Sequence, residues 1–144
     1  MGKGINRWER GLRSTIAALV LSMFSGLAQA APTVTDIEFS ARPGSKFEVR
    51  VDFDQPPPDM KSYTIEKPAR IAIDFPDTTS GLDRKRFSLP YGNATGVMVL
   101  ESGDRTRMVI NLVKLVPYRT RVDGNSLYVI VGQEGAEEHA TQTT

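Results

Sequence analysis

Apolar and polar residues alternate along most of the chain after residue 31. The clearest stretch covers residues 47–54, where Phe47, Val49, Val51 and Phe53 are separated by charged side chains. A period of two places successive side chains on opposite faces of a strand, whereas a helix would distribute these four apolar residues around its circumference. The pattern therefore predicts a strand with one buried face.

The same alternation predicts a series of short strands separated by turns, and helical periodicity is absent after Ala31. Glycine-containing segments at 42–45, 102–104 and 123–125 are predicted to close hairpins, because glycine and asparagine accept the positive φ of tight turns. Three consecutive prolines at 56–58 lack amide donors and predict a stiff loop. The predicted strands are residues 35–41, 47–54, 62–66, 70–75, 86–89, 96–101, 106–112, 118–123 and 126–131.

The order of these strands repeats along the chain. Residues 37–75 contain two predicted strand pairs, and residues 97–131 contain two more at similar spacing, with Tyr63 and Tyr118 at the start of the third strand of each half. A duplicated four-stranded unit explains the repeat, and chance similarity between amphipathic strands is the alternative. We expect an all-β fold in which two similar four-stranded halves pack their apolar faces together as a small β-sandwich.

The first 30 residues have the three parts of a secretory signal peptide. A basic start precedes an uncharged apolar run at 14–27 and then Ala28-Gln29-Ala30, which predicts cleavage between Ala30 and Ala31. An uncleaved anchor helix is the alternative, but the apolar run is shorter than the about 20 residues that span a bilayer. The sequence therefore predicts an exported, periplasmic protein with one folded domain at 31–132 and a disordered polar tail or linker at 133–144.

Cleavage also changes the charge balance of the protein. The whole chain has 18 basic and 17 acidic residues, and the predicted signal peptide contains four of the basic and one of the acidic residues. The remaining 114 residues therefore have 14 basic and 16 acidic side chains. This balance does not indicate a nucleic-acid-binding protein, which would be strongly basic.

Residues able to support catalysis or metal binding are scarce. The chain has no cysteine, and its single histidine, His139, lies in the predicted tail. No serine–histidine or cysteine–histidine pair can therefore form in the predicted domain, and no set of zinc ligands is present there. Asp52 and Asp54 share the polar face of one strand, as is typical of a solvated surface, and Asp74 precedes a predicted turn. We predict a protein that is not an enzyme and has no metal or cofactor.

Basic residues are the better candidates for a binding site. Arg105, Arg107, Arg119 and Arg121 lie on the polar faces of predicted strands in the second half of the chain. If these strands are neighbours, their guanidinium groups form one row, and arginine binds carboxylates in a bidentate manner. Ordinary cross-strand pairing with aspartate and glutamate is the alternative. The basic segment 84–86 lies in a predicted loop and favours solubility, so we predict no nucleic-acid contact for this domain.

Several segments of the chain carry a resemblance to a known family. Residues 63–76 read YTIEKPARIAIDFP, and residues 105–112 read RTRMVINL, followed by Pro117-Tyr118 and by VDGNSLYVIV at 122–131. Together they resemble the AMIN domain, over roughly residues 34–132. Within that family the chain is most similar to the N-terminal region of the type IV pilus secretins.

The resemblance implies a small β-sandwich of two similar halves, located in the periplasm and associated with the cell wall and the outer membrane. It implies peptidoglycan as the ligand, with the four arginines as tentative contacts to its carboxylates, and proteins of the pilus machinery as further partners. A whole secretin of this kind would be a homo-oligomer that serves pilus assembly, secretion across the outer membrane and DNA uptake.

Two alternatives stay open at this point. The domain can be the targeting domain of an N-acetylmuramoyl-L-alanine amidase, or a protein-interaction domain of the pilus machinery. The ring domains and pore region of a secretin do not follow Thr144 in this sequence. A fragment, a truncated product and a stand-alone domain are therefore all compatible with the sequence.

Overall fold

Ten β-strands account for most of the protein that the computed structural model describes, which is residues 30–132. Residues 1–29 and 133–144, which contain the predicted signal peptide and the predicted polar tail, lie outside the described residues. Between residues 30 and 132 there is no helix long and apolar enough to cross a membrane. The strands are β1 (Thr33–Arg42), β2 (Lys46–Phe53), β3 (Lys61–Glu66), β4 (Ala69–Pro76), β5 (Thr79–Ser80), β6 (Arg86–Tyr91), β7 (Ala94–Ser102), β8 (Arg105–Leu112), β9 (Tyr118–Asp123) and β10 (Ser126–Val131).

The strands form two five-stranded sheets. Sheet A has the order β5-β1-β2-β10-β9, and sheet B has the order β3-β4-β8-β7-β6. Neighbouring strands are antiparallel except for β1 and β5, which are parallel. The two sheets enclose a single apolar core, so the predicted all-β sandwich is confirmed.

The two halves of the chain do not correspond to the two sheets, which corrects the expected arrangement. Each sheet contains one hairpin from each half, because β1 and β2 join β9 and β10 in sheet A while β3 and β4 join β7 and β8 in sheet B. The proline-rich segment between β2 and β3 cannot form a hairpin, and it carries the chain from one sheet to the other. The central pairs β2–β10 and β4–β8 therefore join the halves to each other.

The distribution of the hairpins between the two sheets has the symmetry that a duplication requires. If the hairpin β1–β2 corresponds to β7–β8, and β3–β4 to β9–β10, then the order β1-β2-β10-β9 becomes β7-β8-β4-β3. That is the order of the four corresponding strands in sheet B. Neither half can complete a sheet alone, so we expect the domain to fold as one cooperative unit.

The core lies between the sheets and is made by the inward residues of the alternating strands. The four apolar residues of β2 that the pattern selected are all at most 4% exposed. The ring of Phe53 in sheet A meets the ring of Phe75 in sheet B edge-on, with centroids 5.2 Å apart. Each fully buried side chain of this size contributes about 1.5–3 kcal/mol. The chain has no cysteine, so this packing and the backbone hydrogen bonds hold the sandwich together.

The predicted turns are present, and one short strand was not predicted. Gly103 and Gly124 have φ of 61° and 58° at hairpin turns where the sequence pattern expected a positive φ. Strand β5, only two residues long, lies in a segment whose composition indicates a turn. It pairs with Thr33 and Val34 at the start of β1 and leaves the rest of that edge of β1 without a neighbouring strand in the described part of the chain.

Candidate functional site

The carboxylate of Asp74 is the centre of a cross-strand cluster on the outer face of sheet B. Arg107 donates from Nε and Nη2 to the two carboxylate oxygens at 2.6 and 2.8 Å, and Arg105 donates from Nη1 at 3.3 Å. The pairing of β4 with β8 places Asp74 directly opposite Arg107. Arg105 and Arg107 therefore pair with an acidic side chain on a neighbouring strand, which was the alternative to a row of guanidinium groups available for a ligand.

Asp74 lies on β4, just before the predicted turn, and takes no part in that turn. The local bond of that turn is made by Thr78, whose hydroxyl donates to the carbonyl of Pro76 at 2.8 Å. The side chain of Asp74 is 11% exposed and points instead towards β8. Its partners follow more than 30 residues later in the sequence, so no local signal identifies them.

The Asp74–Arg107 pair is charged at neutral pH. The hydrogen bonds from Arg107 hold the pKa of Asp74 below its ordinary value, and Arg105 acts in the same direction, while burial opposes both. The same hydrogen bonds raise the pKa of the Arg107 guanidinium. The side chains of Arg105 and Arg107 are 47% and 38% exposed, so both remain partly accessible to a ligand.

An apolar row crosses the same face of sheet B. Tyr63, Ala72, Val109 and Met98 lie side by side in the register of β3, β4, β8 and β7. The guanidinium carbon of Arg107 is 5.6 Å from the centroid of the Tyr63 ring, within the range of a cation–π contact. The cluster therefore presents cations next to an aromatic ring and aliphatic surface. Tyr63 lies within the segment that carries the family resemblance, but it was not selected from the sequence as a site residue.

The outer face of sheet B, called the basic face below, has an excess of positive charge. Alternation along the strands places five basic side chains on this face and one acidic side chain, so its net charge is +4. The basic side chains are Lys61, Arg70, Arg86, Arg105 and Arg107, and the acidic side chain is Asp74.

The outer face of sheet A, called the mixed face below, has balanced charge. It carries five basic and five acidic side chains within its strands, for a net charge of zero. They are Arg42, Lys46, Arg50, Arg119 and Arg121, and Asp36, Glu38, Glu48, Asp52 and Asp123. Several of them pair with each other, including Arg42 with Glu48 and Arg50 with Asp52.

Arg119 and Arg121 lie on the mixed face, on the edge strand β9. Arg121 stacks over the ring of Tyr128 at 4.3 Å and forms an ion pair with Asp123 at 3.4 Å. Arg119 is exposed and lies opposite Ile130 of β10. The two arginines share one face, as the alternation of β9 predicted.

The four candidate arginines therefore do not form one row. β8 belongs to sheet B and β9 belongs to sheet A, so Arg105 and Arg107 lie on the opposite side of the sandwich from Arg119 and Arg121. The alternation of each strand identifies its outward face correctly. It cannot show that the loop between β8 and β9 carries the chain from one sheet to the other.

Acidic and histidine side chains do not gather into a metal site within residues 30–132. His139, the single histidine of the chain, lies outside the described residues. The chemistry that the described surface offers is therefore hydrogen bonding, charge pairing and stacking by arginine and tyrosine side chains.

Two stacked sheets around one apolar core define a small β-sandwich domain. The chain belongs to the AMIN domain family, whose model matches residues 36–131. The resemblance seen in residues 63–76 and 105–131 is thereby confirmed.

Known relatives support the same conclusion. The chain is 42% identical over 126 residues to the fimbrial assembly protein PilQ of Pseudomonas aeruginosa, covering 88% of this chain and 18% of that protein. It is 27% identical over 122 residues to the type IV pilus biogenesis and competence protein PilQ of Neisseria gonorrhoeae, covering 85% of this chain and 17% of that protein. The protein of the same name from Neisseria meningitidis serogroup B is 27% identical over a similar span. The chain thus spans less than a fifth of the length of these relatives.

Proposed function

We propose that this domain is a non-catalytic periplasmic module that binds peptidoglycan through its basic face. Through this contact it localises a type IV pilus secretin at the cell wall and the outer membrane. The observation that carries the proposal is the net charge of +4 on the basic face, where Arg105 and Arg107 lie beside the ring of Tyr63. The mixed face, by contrast, neutralises its own charges.

The chemistry of the basic face suits a polymer of sugars and acidic peptides. Peptide stems carry carboxylates, and an arginine fork binds a carboxylate with two parallel hydrogen bonds. Sugar rings have apolar faces that pack on aromatic and aliphatic side chains, and Tyr63, Val109 and Met98 supply such a surface. Exposed guanidinium groups next to an aromatic ring therefore fit both parts of the polymer.

The names of the relatives favour a pilus protein over the amidase alternative. The relatives are a fimbrial assembly protein and a type IV pilus biogenesis and competence protein, and both names refer to pili. We therefore propose pilus assembly and secretion across the outer membrane, with DNA uptake in competent relatives, as the setting in which the domain acts. Proteins of the pilus machinery are the further partners of the proposal, and the whole secretin would be a homo-oligomer.

Co-sedimentation with purified peptidoglycan sacculi tests the proposal. In the first variant, Asp74→Asn, Arg105→Gln and Arg107→Gln are combined, which removes the guanidinium groups without leaving a carboxylate unpaired. We expect it to bind sacculi about tenfold more weakly, the loss typical of removing charge-assisted hydrogen bonds. Thermal unfolding shows whether the variant remains folded.

A matched variant on the mixed face provides the control. Arg119→Gln, Arg121→Gln and Asp123→Asn change the net charge by the same amount on the opposite side of the sandwich. We expect wild-type binding from this control. Loss of binding only in the control would move the site to Arg119, Arg121 and Tyr128. Wild-type binding by both variants would exclude all four candidate arginines.

A further inference from the structure

A groove separates the edge of sheet A from the edge of sheet B on the side of β1 and β6. It has a volume of about 410 Å³ and is lined by Ile37, Glu38 and Phe39 from β1 and by Arg84, Phe87 and Ser88 from β6 and the loop before it. This volume falls within the range of about 300–1,000 Å³ typical of ligand sites. The groove lies at the edge of the sandwich, between the two outer faces, and shares Glu38 with the mixed face.

One wall of the groove is a strand edge without a neighbour. β5 pairs with β1 only at Thr33 and Val34, and no other described strand pairs with this edge of β1. Two contacts show which backbone groups face the groove, and each already occupies one of them. The amide of Ile37 donates to the carboxylate of Asp36 at 2.8 Å, and the carbonyl of Phe39 accepts from the hydroxyl of Tyr91 at 3.3 Å. By the period of two, the backbone groups of residues 37, 39 and 41 point to this edge.

The floor and the opposite wall are aromatic and basic. The rings of Phe39 and Phe87 are 5.5 Å apart, and the guanidinium carbon of Arg84 is 5.3 Å from the centroid of the Phe87 ring. Lys85 follows Arg84 and is also exposed, and its carbonyl accepts from the amide of Val99. Glu38, on the far rim, is directed towards Arg50 at 3.4 Å. The side of the groove formed by sheet B is therefore cationic.

We propose that this groove binds an extended protein segment that adds a strand to the free edge of β1. The segment carries an apolar or aromatic side chain that packs on Phe39 and Phe87, and an acidic side chain two residues away that pairs with Arg84. Backbone hydrogen bonds to the carbonyl of Ile37, the amide of Phe39 and the backbone of Ala41 supply affinity, and the aromatic floor and Arg84 supply specificity, as in other cases of strand addition. The charge of the wall selects an acidic partner, and the proposal does not depend on peptidoglycan binding.

A designed peptide tests the proposal with the purified chain. The probe is a blocked, fluorescein-labelled peptide of alternating valine and threonine with a central phenylalanine and an aspartate two residues later. The control peptide has the same composition with the aspartate moved by one position, which turns its carboxylate to the opposite face of the strand. We expect the control peptide to bind about tenfold more weakly in fluorescence anisotropy, because it loses the pair with Arg84.

Two protein variants complete the experiment. Arg84→Glu is expected to weaken binding of the probe by about tenfold, whereas Arg119→Glu, an equal charge change at the far edge of sheet A, is expected to leave it unchanged. Amide shifts in an NMR titration should concentrate at residues 37–41 and 86–88. Absence of binding at about 1 mM peptide, equal binding of both peptides, or shifts confined to the outer faces would overturn the proposal. Sedimentation showing that two copies of the chain pair through this edge would also overturn it, since the occupant would then be a second copy.

Discussion

Replacing Asp74 by asparagine separates the structural role of the Asp74 cluster from its proposed role in binding. Asparagine keeps the shape of the side chain and one acceptor oxygen, but it loses the charge that Arg105 and Arg107 neutralise. The wild-type carboxylate accepts three hydrogen bonds from these residues, at 2.6, 2.8 and 3.3 Å. Because it is only 11% exposed, water replaces these partners poorly.

The expected loss of stability follows from this geometry. A hydrogen bond to a charged group contributes about 1.5–3 kcal/mol. The two arginines are 38% and 47% exposed, so solvent screens their attraction, and asparagine retains part of the bonding. We expect the free energy of unfolding to fall by about 1.5 kcal/mol, which lowers Tm by roughly 6–12 °C in a domain of this size.

The sign of the pH dependence follows from the lowered pKa of Asp74. Since this pKa is lower in the folded state than in the unfolded state, the cluster stabilises the fold fully above the unfolded value of about 3.9. This stabilisation is lost as the pH falls through the folded pKa. Urea unfolding of wild type and Asp74→Asn should therefore show a constant difference between about pH 6 and 8 and a shrinking difference below about pH 4.

Binding is expected to change in the opposite direction from stability. Asp74→Asn raises the net charge of the basic face by one and releases the guanidinium fork of Arg107. Removing a negative charge about 6 Å from a bound carboxylate, at the dielectric constant of water, is worth about 0.7 kcal/mol. We therefore expect about threefold tighter binding to sacculi from a less stable protein. Asp104→Asn, at a carboxylate 81% exposed and 3.7 Å from Arg105, is the control for stability and should leave the free energy of unfolding unchanged. An Asp74→Asn variant that bound more weakly while still folded would refute the reasoning.

Three further changes test the packing and the electrostatics. Gly96→Ala should reduce the free energy of unfolding by about 1–3 kcal/mol in urea, because the added Cβ would lie 2.8 Å from the backbone oxygen of Phe87. An unchanged free energy would show that β6 shifts to make room for the added atom. Ile71→Ala, at a residue with no exposed surface, should cost about 2–5 kcal/mol, whereas Val122→Ala, at a residue 51% exposed, should cost under about 1 kcal/mol. Similar losses would contradict the difference in burial between these two residues. Binding to sacculi should weaken steadily between about 50 and 500 mM NaCl, and salt-independent binding would argue against arginine–carboxylate contacts.

The strands could be predicted from the sequence because each buries one face. In β2, Phe47, Val49, Val51 and Phe53 are all buried, and only a period of two places them together. β5 could not be predicted in this way, because two residues are too few to show a period. Its position depends on hydrogen bonding to Thr33 and Val34, about 45 residues earlier in the chain.

The candidate site could be predicted only in part. Alternation identified the outward faces of Arg107 and Arg121, but the neighbours of these residues depend on which strands pair, and that is decided by contacts distant in sequence. Asp74 meets Arg107 through the pairing of β4 with β8, and Tyr128 meets Arg121 through the pairing of β10 with β9. A single expected row therefore became two clusters on opposite faces.

The two outer faces carry different side chains, although the duplication gives them corresponding strands in the same order. On the mixed face, β1 contributes Asp36 and Glu38. The corresponding strand of the basic face, β7, contributes Met98 and Leu100.

The consequences for the neighbouring arginines differ on the two faces. The acids of the mixed face neutralise arginines within the sheet. The strands of the basic face place one carboxylate, Asp74, among five cations, and Asp104 in the adjoining turn lies 3.7 Å from Arg105. Stability alone favours the first arrangement, because like charges on one face repel each other. A partner with negative charge would remove that repulsion when it binds, so the excess of cations on the basic face supports the proposed anionic ligand.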